Sequence, residues 1–158
     1  MRRFLEFALS FMLSLVVWMW VATPMHEGFH YLVAKSLGVK GIISLTWSAS
    51  GFFTYIDTPT QFQDVVIGLA GGLGSAIVLG LLWVLAQYQT RYTTWEMDDA
   101  ASLLIVVVAQ AVYAPFDAWW PAAAFYGIGV GFLVGIIVAG LMYGKRVLDF
   151  LSGHILTS

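Results

Sequence analysis

Two histidines and a glutamate stand near the end of a long apolar run that begins at the N-terminus. They form His26-Glu27-Gly28-Phe29-His30, an H-E-x-x-H motif. On a helix, residues four apart share one face, so both imidazoles can point at one metal ion. Glu27 then lies beside the metal-bound water, where a general base is needed. The bland alternative is a polar helix end whose imidazoles snorkel to water. Ionisable groups at membrane depth are costly and by default mark function, which favours the metal reading. The motif alone does not name the metal or the substrate.

The surroundings of the motif are unusual for a soluble protein. Of 158 residues, 60% are hydrophobic and only 10% charged, too few charges to cover a soluble surface. The length suits a single domain. Several runs are long enough to cross about 30 Å of hydrocarbon as helices. The net charge of −2 gives no footprint for nucleic acid. There is no Cys, so disulfides and thiolate ligands are excluded and a metal must use His, Asp or Glu. Arg2 and Arg3 ahead of an apolar stretch resemble a secretory signal, but the stretch is long and no A-x-A site precedes Pro24. The expectation is an uncleaved span.

Four spans are expected, giving an all-α integral membrane protein with one β-hairpin. The first runs from about Phe4 to Trp20 and continues as helix to about Leu37, with a kink at Pro24 and a stop at Gly38. Trp18 and Trp20 are either interface aromatics or packing residues. Residues 39–58 are rich in β-branched and aromatic side chains around a turn at Ser48 to Gly51. They read as a hairpin folded back beside the motif, with an edge that could hold an extended peptide. Asp57 to Asp64 reads as a linker, and span two as about Val65 to Ala86. Its Gly68-to-Ser75 stretch suits close helix packing. Gln87 to Asp99 reads as a solvated loop. Span three covers about Ala100 to Ala114, ending at Pro115-Phe116-Asp117. Span four covers about Ala122 to Tyr143 and stops at Lys145 and Arg146, with Gly127, Gly131, Gly135, Gly140 and Gly144 as a packing stripe.

A catalytic zinc usually takes three protein ligands and one open position. The acids after the motif are Asp57, Asp64, Glu96, Asp98, Asp99, Asp117 and Asp149. Most stand in polar loops, where a carboxylate needs no explanation. Asp117 follows an apolar span, and a charge there calls for a cation. The alternative is a helix-end Asp that caps span four. Gln110, seven residues earlier, lies on the same side of a continuing helix. Its amide could donate to a developing oxyanion or bond a neighbouring helix. His154, in the polar tail, reads as solvent-facing.

In this order the features resemble the site-2 protease family of intramembrane zinc metalloproteases, over about Phe7 to Asp117. His26, Glu27 and His30 match its H-E-x-x-H. Ala34-Lys35-Ser36-Leu37-Gly38-Val39 is similar to the continuation of that helix into a Gly-Val turn. Leu69-Ala70-Gly71-Gly72-Leu73-Gly74-Ser75 is similar to an Ala-Gly-Pro-Leu-Ala-Asn stretch. Phe116-Asp117-Ala118 stands where the family has Leu-Asp-Gly. Gly72 replaces the family's Pro and Ser75 its Asn, and this chain contains no Asn. The family's substrate-orienting or oxyanion amide would then come from Gln110, from Ser75, or from nowhere.

The resemblance implies a minimal core of a zinc metalloendopeptidase. Zn2+ would be held by His26, His30 and Asp117, with Glu27 as general base on a zinc-bound water. The partners implied are a transmembrane protein substrate and the lipid bilayer. The competing reading is a non-catalytic membrane protein that keeps zinc as a staple and binds partner helices. Counting cations, Arg2, Arg3, Arg91, Lys145 and Arg146 fall on one side of a four-span arrangement, and Lys35 and Lys40 on the other. That bias puts both termini in the cytoplasm, whereas the resemblance implies a site reached from the cytosol, so orientation is open. The oligomeric state is not read.

Overall fold

The structure is a computed structural model, and it describes residues 2–45, 51–89 and 97–152. The chain runs α1 (Arg2–Ser36), β1 (Gly41–Leu45), β2 (Gly51–Tyr55), α2 (Gln61–Gln89), α3 (Met97–Trp119), a 3-10 turn (Pro121–Ala123) and α4 (Ala124–Ser152). Four of these helices are long and apolar enough to cross a membrane. The expected turn centre at 46–50, the loop residues Arg91 and Glu96, and His154 lie outside the described residues.

Helix α1 ends where glycine allows it. Gly38 has φ +74°, a left-handed conformation that costs a Cβ-bearing residue more. The Val39 N–H donates to Ala34 O at 2.9 Å and the Gly38 N–H to Lys35 O at 3.2 Å, which closes the helix as a Schellman motif. Val39 is buried with Ala34 and Ile67, the apolar contact that accompanies such an end. Pro24 lies inside α1, and the helix continues past it into the motif.

Helix α2 starts earlier than its apolar run suggests. Thr60 and Gln63 form a reciprocal capping box. The Gln63 N–H donates to Thr60 Oγ1 at 3.3 Å, and the Thr60 N–H donates to Gln63 Oε1 at 2.9 Å. The stretch read as a linker therefore ends at Thr60, and Asp64 sits in the first turn of a helix. Gln63 Nε2 also donates to Leu37 O at 3.1 Å, so the start of α2 is tied to the end of α1.

The hairpin between them pairs antiparallel, with Gly41 opposite Tyr55 and Ile43 opposite Phe53. The Ile56 N–H donates to Lys40 O at 2.9 Å. Backbone groups alternate sides along a strand, so residues 52, 54 and 56 face β1 while Phe53 and Tyr55 turn theirs away from it. The Lys40 N–H donates to Asp57 Oδ2 at 3.2 Å, and the Tyr55 hydroxyl to Asp64 Oδ1 at 2.8 Å. Burial and then the Asp64 carboxylate push the Tyr55 phenol up, which keeps it a donor across the neutral range.

Helix α3 is the hub. It packs on α1, α2 and α4, and its residues from Ala100 to Val106 are buried without a break. Leu103 and Val106 join Ala22 and Leu79 in one cluster, against which Trp18 packs; Trp20 instead faces outward. The expected end of span three at Pro115 is not observed. The helix runs through Pro115 to Trp119, so Asp117 projects from a continuous helix rather than from a loop.

Helix α4 lies along α3 on glycine. A Cβ on Gly127 would strike the Phe116 ring, and on Gly131 and Gly135 it would stand 2.7 Å from Ala109 O and Ile105 O. Those distances are too short for a real carbon, so only glycine permits this approach. The stripe ends there: a Cβ on Gly140 or Gly144 would meet no neighbouring element within 4 Å, contrary to the expected stripe of five glycines. Nor do Lys145 and Arg146 end the helix, which continues to Ser152. At this end of the bundle Trp83 Nε1 donates to the Tyr143 hydroxyl at 3.0 Å, and Gln87 donates to the same oxygen.

Candidate metal centre

Three helices bring His26, His30 and Asp117 to one point. Helix α1 supplies both imidazoles from successive turns of one face. Helix α3 supplies the carboxylate, and α2 closes the floor with Gly71. The two Nε2 atoms stand 2.8 Å apart. Asp117 Oδ2 is 3.2 Å from His26 Nε2 and 3.0 Å from His30 Nε2. Both histidines are buried, at 6% exposure each.

The outer nitrogens fix what the inner ones present. His30 Nδ1 is 2.6 Å from the Ile67 carbonyl, which can only accept, so that nitrogen carries the proton. His26 Nδ1 is 2.9 Å from Gln110 Oε1 and donates to it in the same way. Each Nε2 then offers a bare lone pair. Two lone pairs and a carboxylate oxygen converge, and such a set is repulsive until a cation or proton joins it.

The donor set fits a divalent ion. In a tetrahedral zinc site with bonds near 2.0–2.1 Å, donors stand about 3.3 Å apart. The observed separations of 2.8 to 3.2 Å are slightly tighter. Helix α2 lies close under both rings: a Cβ on Gly71 would lie 2.7 Å from His26 Nε2 and closer still to His30 Nε2. Only glycine permits that approach. Among the described residues, this is the group of His, Asp and Glu side chains disposed to hold a metal.

Glu27 lines the same cavity, which has a volume of about 600 Å³. The glutamate is 7% exposed, and the Phe53 backbone N–H is directed at its carboxylate. That N–H belongs to the side of β2 turned away from β1. The hairpin therefore presents its outer edge to Glu27. The Phe53 ring lies along His30, with ring centres 5.9 Å apart. The polar end of the cavity holds the motif and Asp117; its other wall is apolar, with Met19, Val106, Phe125, Ile128 and Phe132.

The expected site residues divide clearly. His26, Glu27, His30 and Asp117 are brought together. Gln110 is also present, on the same face of α3 as Asp117, but its carbonyl oxygen is engaged by His26. Ser75 is not brought to the site. Its hydroxyl is fully buried, without a hydrogen-bond partner, and does not line the cavity. Two contributors went unread in the sequence, Tyr113 and the Ile67 carbonyl. Tyr113 stands one turn before Asp117, a spacing that could have flagged it. A backbone carbonyl leaves no mark in sequence.

No protein-family model, curated protein or solved structure matches this chain.

Proposed function

We propose that the chain is a multi-pass integral membrane zinc metalloprotease of the site-2 protease kind, hydrolysing peptide bonds within or near transmembrane segments. One observation carries this reading: a carboxylate from α3 meets the two imidazoles of the H-E-x-x-H helix, with Glu27 beside them on a shared cavity. Bound zinc would supply Lewis acidity, polarising the scissile carbonyl and making a water easier to deprotonate.

The protein's own groups do the rest. His26, His30 and Asp117 hold the ion, kept in place by Gln110 and the Ile67 carbonyl. Glu27 takes the proton from the attacking water and returns it to the leaving amine. The outward-turned Phe53 carbonyl and Tyr55 backbone offer main-chain pairing to an extended peptide. Pairing of that kind requires the substrate span to unwind, because a helix uses its carbonyls internally. The apolar wall accepts the side chains of such a segment.

The test is Glu27→Gln in purified protein with a membrane-spanning substrate. It should retain zinc and lose at least about a hundredfold in cleavage rate, the usual scale for a general base. Undiminished cleavage by Glu27→Gln would show the assignment to be wrong. One observation favours a second reading, a non-catalytic zinc-binding protein that docks partner helices. Of the two candidates for the oxyanion donor, Ser75 is buried away from the cavity, and Gln110 has its carbonyl oxygen tied to His26, which leaves its Nε2 amino group alone for that role. Stoichiometric zinc without hydrolysis of any membrane substrate would favour that alternative.

A further inference from the structure

Each of the three ligands has one outer partner. His30 has the Ile67 carbonyl at 2.6 Å, and His26 has Gln110 Oε1 at 2.9 Å. Asp117 has Tyr113, whose hydroxyl donates to Oδ1 at 3.4 Å. Oδ1 is the carboxylate oxygen turned away from the histidines, since Oδ2 makes both close approaches. The Tyr113 ring also rests against His26, with centres 5.2 Å apart. Gln110, Tyr113 and Asp117 stand at i, i+3 and i+7 on one face of α3, so a single helix sets two outer partners and one ligand.

We propose that Tyr113 is a positioning residue for the metal centre, holding Asp117 so that one carboxylate oxygen only, Oδ2, is presented to the ion. This rests on the metal reading above. A carboxylate can bind through one oxygen or through both. Engaging Oδ1 from behind favours the first mode and preserves the open position that the proposed chemistry needs. Other hydroxyls on the cavity wall are used elsewhere: Tyr55 donates to Asp64 at 2.8 Å, and Thr23 to Met19 O at 3.1 Å. Asp117 is four residues from Tyr113, so the pair needs no tertiary contact to form.

The experiment uses full-length protein in detergent, with Zn2+ titrated against a chromophoric chelator and Co2+ as a spectroscopic substitute. Outer partners of metal ligands are worth roughly 10–100-fold in affinity. At 3.4 Å the Tyr113 contact is longer than the usual hydroxyl bond of about 2.7–2.8 Å, so the low end applies. Tyr113→Phe should bind Zn2+ about tenfold more weakly. Its Co2+ form should lose visible absorption intensity as Asp117 turns to two-oxygen binding and the coordination number rises. Tyr126→Phe, at an exposed position of α4, should match wild type.

In an Asp117→Ala background, Tyr113→Phe should change nothing further, because the group it positions is gone. Unchanged affinity and an unchanged Co2+ spectrum in Tyr113→Phe overturn the proposal. So does an equal further loss in the Asp117→Ala background, or an affinity loss matched by a lower melting temperature of the metal-free protein. A wild-type protein that takes up neither ion overturns this proposal and the metal reading together. A metal-binding wild type with a silent Tyr113→Phe overturns this one alone.

Discussion

Helix α1 carries two candidate ligands within five residues, and no residue of its most apolar stretch is fully buried. Helix α3 carries a single ligand, and half of its corresponding stretch is buried. The difference lies in how each group is aimed. On α1 the helical repeat alone sets both imidazoles on one face. On α3 the carboxylate is useful only because the helix packs against three others and so fixes where position 117 falls. One element contributes by local periodicity, the other by its place in the bundle. Helix α2 mediates between them: Gly71 lets it come close enough to floor the site, and Gly72 lets it lie against Ala114 of α3.

The largest effect expected from breaking this arrangement is at that floor. Gly71→Ala puts a methyl group within 2.7 Å of both Nε2 atoms. Zinc affinity should fall by more than about a hundredfold, beyond what loss of an outer partner costs, while helix content by circular dichroism is unchanged. Affinity within tenfold of wild type would mean that α2 does not define the centre.

The contrast between the helices sharpens with matched leucines. Leu103 of α3 is 1% exposed, and Leu13 of α1 is 67% exposed. Leu103→Ala should cost about 2–5 kcal/mol in a denaturant titration in micelles. Leu13→Ala should stay within about 0.5 kcal/mol, since it leaves no cavity. Equal costs at the two positions would show that α1 is held by contacts other than those described. A cost between those two is expected where α2 is tied to α1. Thr60→Ala removes one half of the capping box and should cost about 1 kcal/mol by the same titration.

Much of this was legible in the chain. The four apolar runs, the hairpin after the motif and the stop at Gly38 follow from patterns spanning a few residues, and all appear. Boundaries were read less well, for local reasons. The T-x-x-Q box at Thr60 lies upstream of the apolar run, so hydropathy places the start of α2 too late. Pro115 reads as a terminator, yet α3 continues through it to Trp119, and that continuation sets where Asp117 points. The glycine repeat of α4 is uniform in sequence, but only Gly127, Gly131 and Gly135 meet α3.

At the candidate site the same division holds. H-E-x-x-H names His26, Glu27 and His30 because ligand spacing on one helix is a property of the helix. Asp117 was singled out by the cost of a charge beside an apolar run, which says that a partner is needed and not which one. Gln110 was placed on the correct face, and of its two expected roles the bond to a neighbouring helix is the one observed. Its oxygen holds His26, a role that depends on where α1 lies beside α3. Ser75 was suggested by its position in a familiar stretch, and packing turned it away from the cavity.

The sequence by itself determined that four helices would form, that two imidazoles and a glutamate would share one of them, and that any metal must be held without a thiolate. Only the tertiary structure decided that Asp117 meets those imidazoles, that Gly71 lets α2 lie against both rings, and that the outer edge of β2 faces Glu27. Periodicity acts over one or two turns and is written in neighbouring residues. Convergence of groups 91 positions apart, as for His26 and Asp117, depends on how whole helices pack, and no short stretch of chain encodes that.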